Sequence, residues 1–87
     1  MSPLLSDSLT LLFLLAAKPD VMIKRDSVWR ALGSDHQTAV DAAAPLIERA
    51  WIHRHLQGNR SMTMGYTITD AGQLAARTIT ERINHSL

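Results

Sequence analysis

The chain contains no cysteine, which excludes a disulfide framework, a thiolate zinc site and a cysteine nucleophile. It also lacks a glycine-rich phosphate loop and a serine set in a nucleophile elbow, and its carboxylates are scattered at helix starts, where capping explains them. An enzyme needs a concave pocket that 87 residues in this arrangement scarcely provide, so no catalytic residue is expected. No apolar run is long enough to span a bilayer. The longest, Leu9 to Ala17, is broken by Thr10 and falls far short of the roughly 20 residues required. It is a poor signal-peptide core as well, because no lysine or arginine precedes it, Asp7 does, and no small-x-small cleavage site comes before Lys18 and Pro19. These absences point to a cytoplasmic protein with no membrane partner.

Eighty-seven residues with 46% apolar content are enough for one core and leave no room for a second, so a single domain over 1–87 is expected. The net charge of +1 is small for a nucleic-acid binder, but it is unevenly spread. Residues 1–48 carry four basic and six acidic side chains, and residues 49–87 carry five basic and two acidic. Arg49, Arg54 and Arg60 are joined by His53 and His55 in a stretch with no acidic residue before Tyr66, so the local field there favours an anion. The plainer reading is a solvated hairpin.

Ser6, Asp7 and Ser8 are candidate caps for a first helix running to about Ala17, ahead of Pro19. Its middle, Leu9 to Leu15, is apolar on every face, and a helix apolar all round is normally buried all round. One face is therefore expected in the domain core and another against a second subunit; the alternative is a helix wrapped by its own domain. Val21, Met22 and Ile23 suit a short strand. Asp26 is a candidate cap for a second helix through Val28, Trp29 and Leu32, stopped by Gly33. Ser34-Asp35-His36-Gln37 fits a capping box that opens a third helix. In it Val40, Ala43, Ala44 and Ile47 are expected inward, and Gln37, Thr38, Asp41, Ala42 and Glu48 outward, with His36 at the border. Pro45 predicts a kink or a break. A last helix from Asp70 to about Ile83 carries the stripe Ala71, Leu74, Ala75, Thr78, Ile79 and Ile83, with Arg77, Glu81 and Arg82 elsewhere.

Between these helices, Trp51 and Ile52 open an extended segment, Gln57 to Ser61 supply turn chemistry, and Met62, Met64, Tyr66 and Ile68 recur at period two on the return. Thr69 then caps a helix, with Asp70 in its first turn. Helix, strand, turn, strand and helix in that order predict a mostly α fold with a small β-hairpin, a winged helix-turn-helix of order α-β-α-α-β-β-α. Here the chain resembles a known family. Tyr66-Thr67-Ile68-Thr69-Asp70-Ala71-Gly72 looks like the Y-x-L-T-x-x-G ending of the wing in MarR-like and PadR-like bacterial transcription regulators. Leu46 to Ile52 is similar to their L-x-x-x-G-[LW]-I passage from recognition helix to wing, with Ala50 in place of the usual glycine. The resemblance is specific over residues 46–72 and general before that.

It implies sequence-specific binding of double-stranded DNA by a small prokaryotic, phage or plasmid regulator, with a recognition helix over about 34–49 and a basic wing over about 51–68. On that reading Gln37 pairs with adenine, Thr38 meets a base edge or a thymine methyl, and His36 and Asp41 lie on the same helix. Arg54, Asn59 and Arg60 reach phosphates or the minor groove from the wing, and Arg30 touches the flanking backbone. Asp35, Asp41 and Glu48 make the helix acidic, and an aspartate beside phosphates is repelled unless it accepts from a cytosine amino group or pairs with arginine. The alternative is the same fold used as a protein-interaction module, an adaptor or antagonist that does not bind DNA. A homodimer is expected through Leu5, Leu9, Leu12, Phe13, Ile79 and Ile83. His53 and His55 could share a metal, but without a third ligand they read as part of a basic surface, and no metal or cofactor is expected. Met62 and Met64 read as core filling rather than a copper-binding stripe. Trp29 and Trp51 read as core or interface anchors rather than stacking platforms. No residue argues for a small-molecule effector.

Overall fold

The computed structural model of the chain describes residues 2–33, 35–58 and 62–86. Its elements are α1 (Ser6–Ala16), β1 (Ile23–Lys24), α2 (Arg25–Ala31), α3 (His36–Glu48), β2 (Ile52–Leu56), β3 (Thr63–Ile68) and α4 (Asp70–Ser86), in the order the sequence predicts. β3 is the middle strand of an antiparallel sheet of order β1-β3-β2. Ile23 pairs with Tyr66, and Ile52 with Ile68.

The apolar helix α1 is the centre of the molecule. Leu11, Leu12 and Leu15 are fully buried, and the helix packs against α3, α4 and β3. Burying side chains of this size contributes about 1.5–3 kcal/mol each. Its N-cap is Leu5 rather than any of the three polar candidates. Ser8, one turn inside, is buried and accepts a hydrogen bond from the Leu5 N–H at 3.3 Å. Leu12 has no surface to offer a second subunit, so it leaves the expected dimer set. Leu5 is exposed, while Leu9 and Phe13 are half-buried.

α1 also sets the rotation of α3. Ala39, Ala42, Ala43 and Leu46 are buried, whereas Val40 and Ile47 are exposed. The expected inward set, 40/43/44/47, and the observed set, 39/42/43/46, share the same helical spacing. They differ by one position, and small alanines win because they let the helix come close to the α1 leucines. Ala42, expected outward, is therefore core. Pro45 does not break α3, which runs uninterrupted to Glu48, and the backbone bond from Arg49 N–H to Pro45 O forms at 3.3 Å.

α2 begins directly where β1 ends. Its N-cap is Lys24, with no side-chain bond, and Asp26 lies in the first turn instead of capping. Gly33, at φ +97°, supplies the expected left-handed residue after the helix. On β3, Tyr66 and Ile68 face the core as expected, but Met62 and Met64 are exposed, since the outer end of the hairpin has no body beneath it.

A junction ties α3, the hairpin and α4 together. Ala50 has φ +58°. Its N–H donates to Ile47 O at 3.0 Å and the Trp51 N–H donates to Leu46 O at 3.0 Å, the paired bonds of a Schellman helix ending. Thr69 Oγ1 donates to Ala50 O (2.7 Å) and Trp51 O (3.0 Å) while accepting from the Gly72 N–H (3.0 Å), so one hydroxyl caps α4 and holds the end of α3. The Thr69 N–H adds a bond to Trp51 O at 2.9 Å. A Cβ on residue 72 would overlap the Trp51 carbonyl, so only glycine lets α4 approach.

α4 extends to Ser86, slightly beyond the expected end, and buries Ala76. Its stripe is mostly outward. Ala71, Leu74, Ala75, Thr78 and Ile79 line an open apolar groove with Trp51, and Arg82 sits in it rather than on another face. Leu74 is 60% exposed and Ile83 52%.

Two substitutions test the junction in opposite directions. Ala50→Gly relieves the left-handed alanine and is expected to stabilise the fold by about 0.5–1 kcal/mol. Gly72→Ala is expected to cost about 2 kcal/mol or more by steric overlap with backbone. Urea unfolding of the three proteins checks both signs.

Candidate nucleic-acid interface

α3 begins at Asp35, whose backbone is extended and whose carboxylate accepts from the Gln37 N–H (3.2 Å) and Thr38 Oγ1 (2.8 Å). Those two bonds, the Thr38 hydroxyl foremost, hold its carboxyl below the usual carboxylate range. The expected capping box does not form around Gln37. Its Nε2 donates forward to Asp41 Oδ1 at 2.7 Å instead of reaching back. Ser34, the expected cap, lies outside the described residues.

The exposed side of α3 carries His36, Gln37, Val40, Asp41, Ile47 and Glu48, with Thr38 and Ala44 half-buried. His36 stands edge-on to Trp29, ring centroids 5.3 Å apart, and the Arg25 guanidinium lies 4.9 Å from the same ring. Trp29 also packs against the core, so it anchors α2 to the start of α3. Arg25 was not singled out by sequence reasoning; its spacing of four from Trp29 on a helix was the available signal.

The acidic character of α3 is partly compensated. Both Glu48 oxygens accept from Ser2, Oε2 from its N–H (2.8 Å) and Oε1 from its hydroxyl (3.0 Å), which keeps the carboxyl below its ordinary range. Arg49 turns away from the exposed face. Its Nη1 donates to the Ser2 and Pro45 carbonyls, both at 3.0 Å, and its guanidinium sits 5.6 Å from the Trp51 ring.

β2 supplies the positive wall. His53, Arg54 and His55 are all exposed. Among the described residues, no carboxylate lies within ion-pair distance of Arg54, and neighbours Arg25 and Asp26 pair at 3.7 Å. Arg54 faces Tyr66 across the ladder, where burial pushes the phenol up despite the arginine charge. His55 Nε2 lies 2.7 Å from Thr67 Oγ1. α3 and β2 flank one open groove lined by Ala44, Ile47, Glu48, Ala50, Ile52, His53 and Arg54. Arg30 is exposed on the last turn of α2. Asn59 and Arg60 lie outside the described residues. The structure thus brings Arg54 beside Ala44, Ile47 and Glu48 in the C-terminal half of α3, while Gln37 and Asp41 lie in its first turns and Thr38 is committed to the cap. No group of three or more metal-ligating side chains occurs among the described residues, and no described helix is long and apolar enough to cross a membrane.

Three helices, the first two joined through a short strand, then a hairpin that completes the three-stranded antiparallel sheet with that strand, and a fourth helix define a winged helix-turn-helix. No protein-family model matches the chain, and no curated protein matches it in sequence. Solved structures of the same fold do. MepR, a transcription regulator of the Staphylococcus aureus multidrug efflux pump MepA, superposes with a TM-score of 0.77 at 16% identity over 95% of this chain and 60% of its own. The S. aureus MepR–DNA complex gives 0.78 at 14% identity over 95% and 67%. Lactococcus lactis ZitR, as a C30AH42A mutant, gives 0.73 at 17% over 97% and 56%. At these identities the likeness establishes the fold, and the chain spans about 60% of the length of the MepR protein it matches.

The Asp35 cap has a pH signature. Its folded pKa is depressed, so the stability it adds is fully present above its ordinary value near 3.8 and is lost as the pH falls through the lower folded value. Wild type is expected to be more stable than Asp35→Ala at pH 6, with the gap shrinking toward pH 3, as urea unfolding at both pH values will show.

Proposed function

We propose that the chain is one winged-helix domain of a cytoplasmic, dimeric, sequence-specific DNA-binding regulator of prokaryotic, phage or plasmid type, without catalytic activity. The observation that carries this reading is the placement of Arg54, in no ion pair with a described carboxylate, across one open groove from the exposed face of α3. In this reading the first turns of α3 enter the major groove, and Arg54 follows the phosphates from the hairpin face turned toward α3, with His53 and His55 on the opposite face of the strand. Arg30 touches the flanking backbone, and Asn59 and Arg60 extend the grip at the hairpin tip. That S. aureus MepR, which shares the fold, was solved as a complex with DNA supports a DNA-binding reading.

Electrophoretic mobility shift across a salt series tests it. Affinity is expected to fall steeply as salt rises, and Arg54→Ala is expected to weaken binding to all duplexes alike while lowering the salt slope by about one. Unchanged binding in Arg54→Ala would remove the hairpin from the interface.

The apolar groove of α4 and Trp51, which Leu74 and Ile79 line, supports the homodimer, with exposed Ile83 further along α4 and a contribution from Leu5, Leu9 and Phe13 along α1. A two-fold dimer demands a roughly palindromic site with half-sites about 34–36 Å apart or a multiple of that. Light scattering at micromolar concentration should give twice the chain mass for the wild type and the chain mass for Leu74→Asp. A monomeric wild type would discard the symmetric site.

One observation favours a second reading. The exposed face of α3 holds Val40, Ile47 and three carboxylate-bearing neighbours with no lysine or arginine, which suits a protein partner better than a phosphate backbone. A chain that ignores duplex DNA at low salt would move the assignment to an adaptor or antagonist.

A further inference from the structure

We propose that Asp41 is a positioning residue that locks the Gln37 carboxamide for recognition of an adenine, so that an acidic side chain on α3 contributes discrimination rather than affinity. The inference rests on the DNA-binding reading above and goes beyond it by assigning the residue that orients Gln37 toward the base.

The chemistry follows from the 2.7 Å bond between Gln37 Nε2 and Asp41 Oδ1. An ionised carboxylate only accepts hydrogen bonds, so the amide must turn its nitrogen toward Asp41 and its oxygen away. One amide N–H is consumed, and the second N–H and Oε1 remain. Among the described residues, Oε1 has no hydrogen-bond partner. A donor and an acceptor held in fixed order match the N7 acceptor and N6 amino donor of adenine. Guanine presents two acceptors at those positions, and its O6 would face Oε1 directly. Gln37 is restrained at its backbone too, since its N–H is held by Asp35 Oδ1 and the neighbouring Thr38 hydroxyl by Asp35 Oδ2. Both residues are exposed on the first turns of α3, within reach of a groove floor. The ordering of a flexible glutamine is completed before DNA arrives, which removes that cost from binding. The carboxylate charge near phosphates opposes association with every duplex equally.

The two effects have opposite signs, and that separates them from a purely structural role. The full chain is used to select bound duplexes from a random pool at low salt. Dissociation constants are then measured by fluorescence anisotropy for the selected site and for its A·T to G·C change at the position that depends on Gln37. Asp41→Ala is expected to bind random duplex more tightly while its adenine-over-guanine ratio falls by about tenfold. Asp41→Asn, whose amide oxygen can accept the same bond, should keep part of that ratio. In a Gln37→Ala background, Asp41→Ala should change the ratio no further. An unchanged ratio in Asp41→Ala overturns the inference while leaving the DNA-binding reading intact. So does a loss of cytosine preference in Asp41→Ala that persists without Gln37, which would mean that Asp41 reads a base itself. A pool from which nothing is enriched overturns both.

Discussion

The hydroxyl of Thr69 is the point on which the arrangement turns. It donates to the carbonyls of Ala50 and Trp51 and accepts from the Gly72 N–H, so the end of α3, the base of the hairpin and the start of α4 share one hydrogen-bonded knot. Without it, the Ala50 carbonyl just past α3 and the Gly72 amide in the first turn of α4 would need other partners, while Trp51 O would keep only the Thr69 N–H. The knot also fixes where β2 starts. Ile52 pairs with Ile68 next to it, and counting outward along the ladder places Arg54 opposite Tyr66 on the wall that faces α3. A slip of one residue would send Arg54 to the other face and His53 into its place.

The exposed surface built on this frame is electrically divided. α3 offers carboxylates, and the hairpin offers imidazoles and an arginine. Local bonding moderates the division, because Glu48 is occupied by Ser2, Asp35 by the helix start it caps and Asp41 by Gln37. Positive charge on α3 itself is withdrawn, with Arg49 folded back over Trp51. On the proposed DNA-binding reading, long-range attraction to a polyanion falls to the hairpin and α2, and α3 is left with shape and directed hydrogen bonds. That separation of positioning from base reading is a general feature of protein–DNA contacts. It accounts for a nearly neutral chain carrying a fold shared with regulators.

Much of the fold was legible in the sequence because its signals are local. Thr69 as a cap, Gly33 as a left-handed stop and the period-two run ending in Tyr66 and Ile68 all depend on nearby residues. The rotation of α3 was not legible, since alanines at 39, 42 and 43 with Leu46 obey the same spacing as the bulkier set one residue on. Only contact with α1 decides between them, and α1 comes from the far side of the sequence. Met62 and Met64 misled for a related reason: alternation marks a face but does not say how far the body extends beneath it. The Gln37–Asp41 bond competes with the capping box for one side chain, and which bond wins depends on Asp35 taking the cap. The exposed position of Arg54 was foreshadowed by composition, because the stretch from Arg49 to Tyr66 has no acidic residue. The hydrogen bonds that hold Glu48, and one of those that hold Arg49, come from Ser2, more than forty residues away, and no local pattern signals them.

The most direct measurement is amide hydrogen exchange on the intact chain with and without duplex DNA. If the knot holds α3 and the hairpin as one gripping surface, the Trp51, Thr69 and Gly72 amides exchange only by global unfolding, and duplex slows exchange in residues 36–48 and 52–56 together. Fast local exchange at those three amides, or protection confined to α4, would contradict the account.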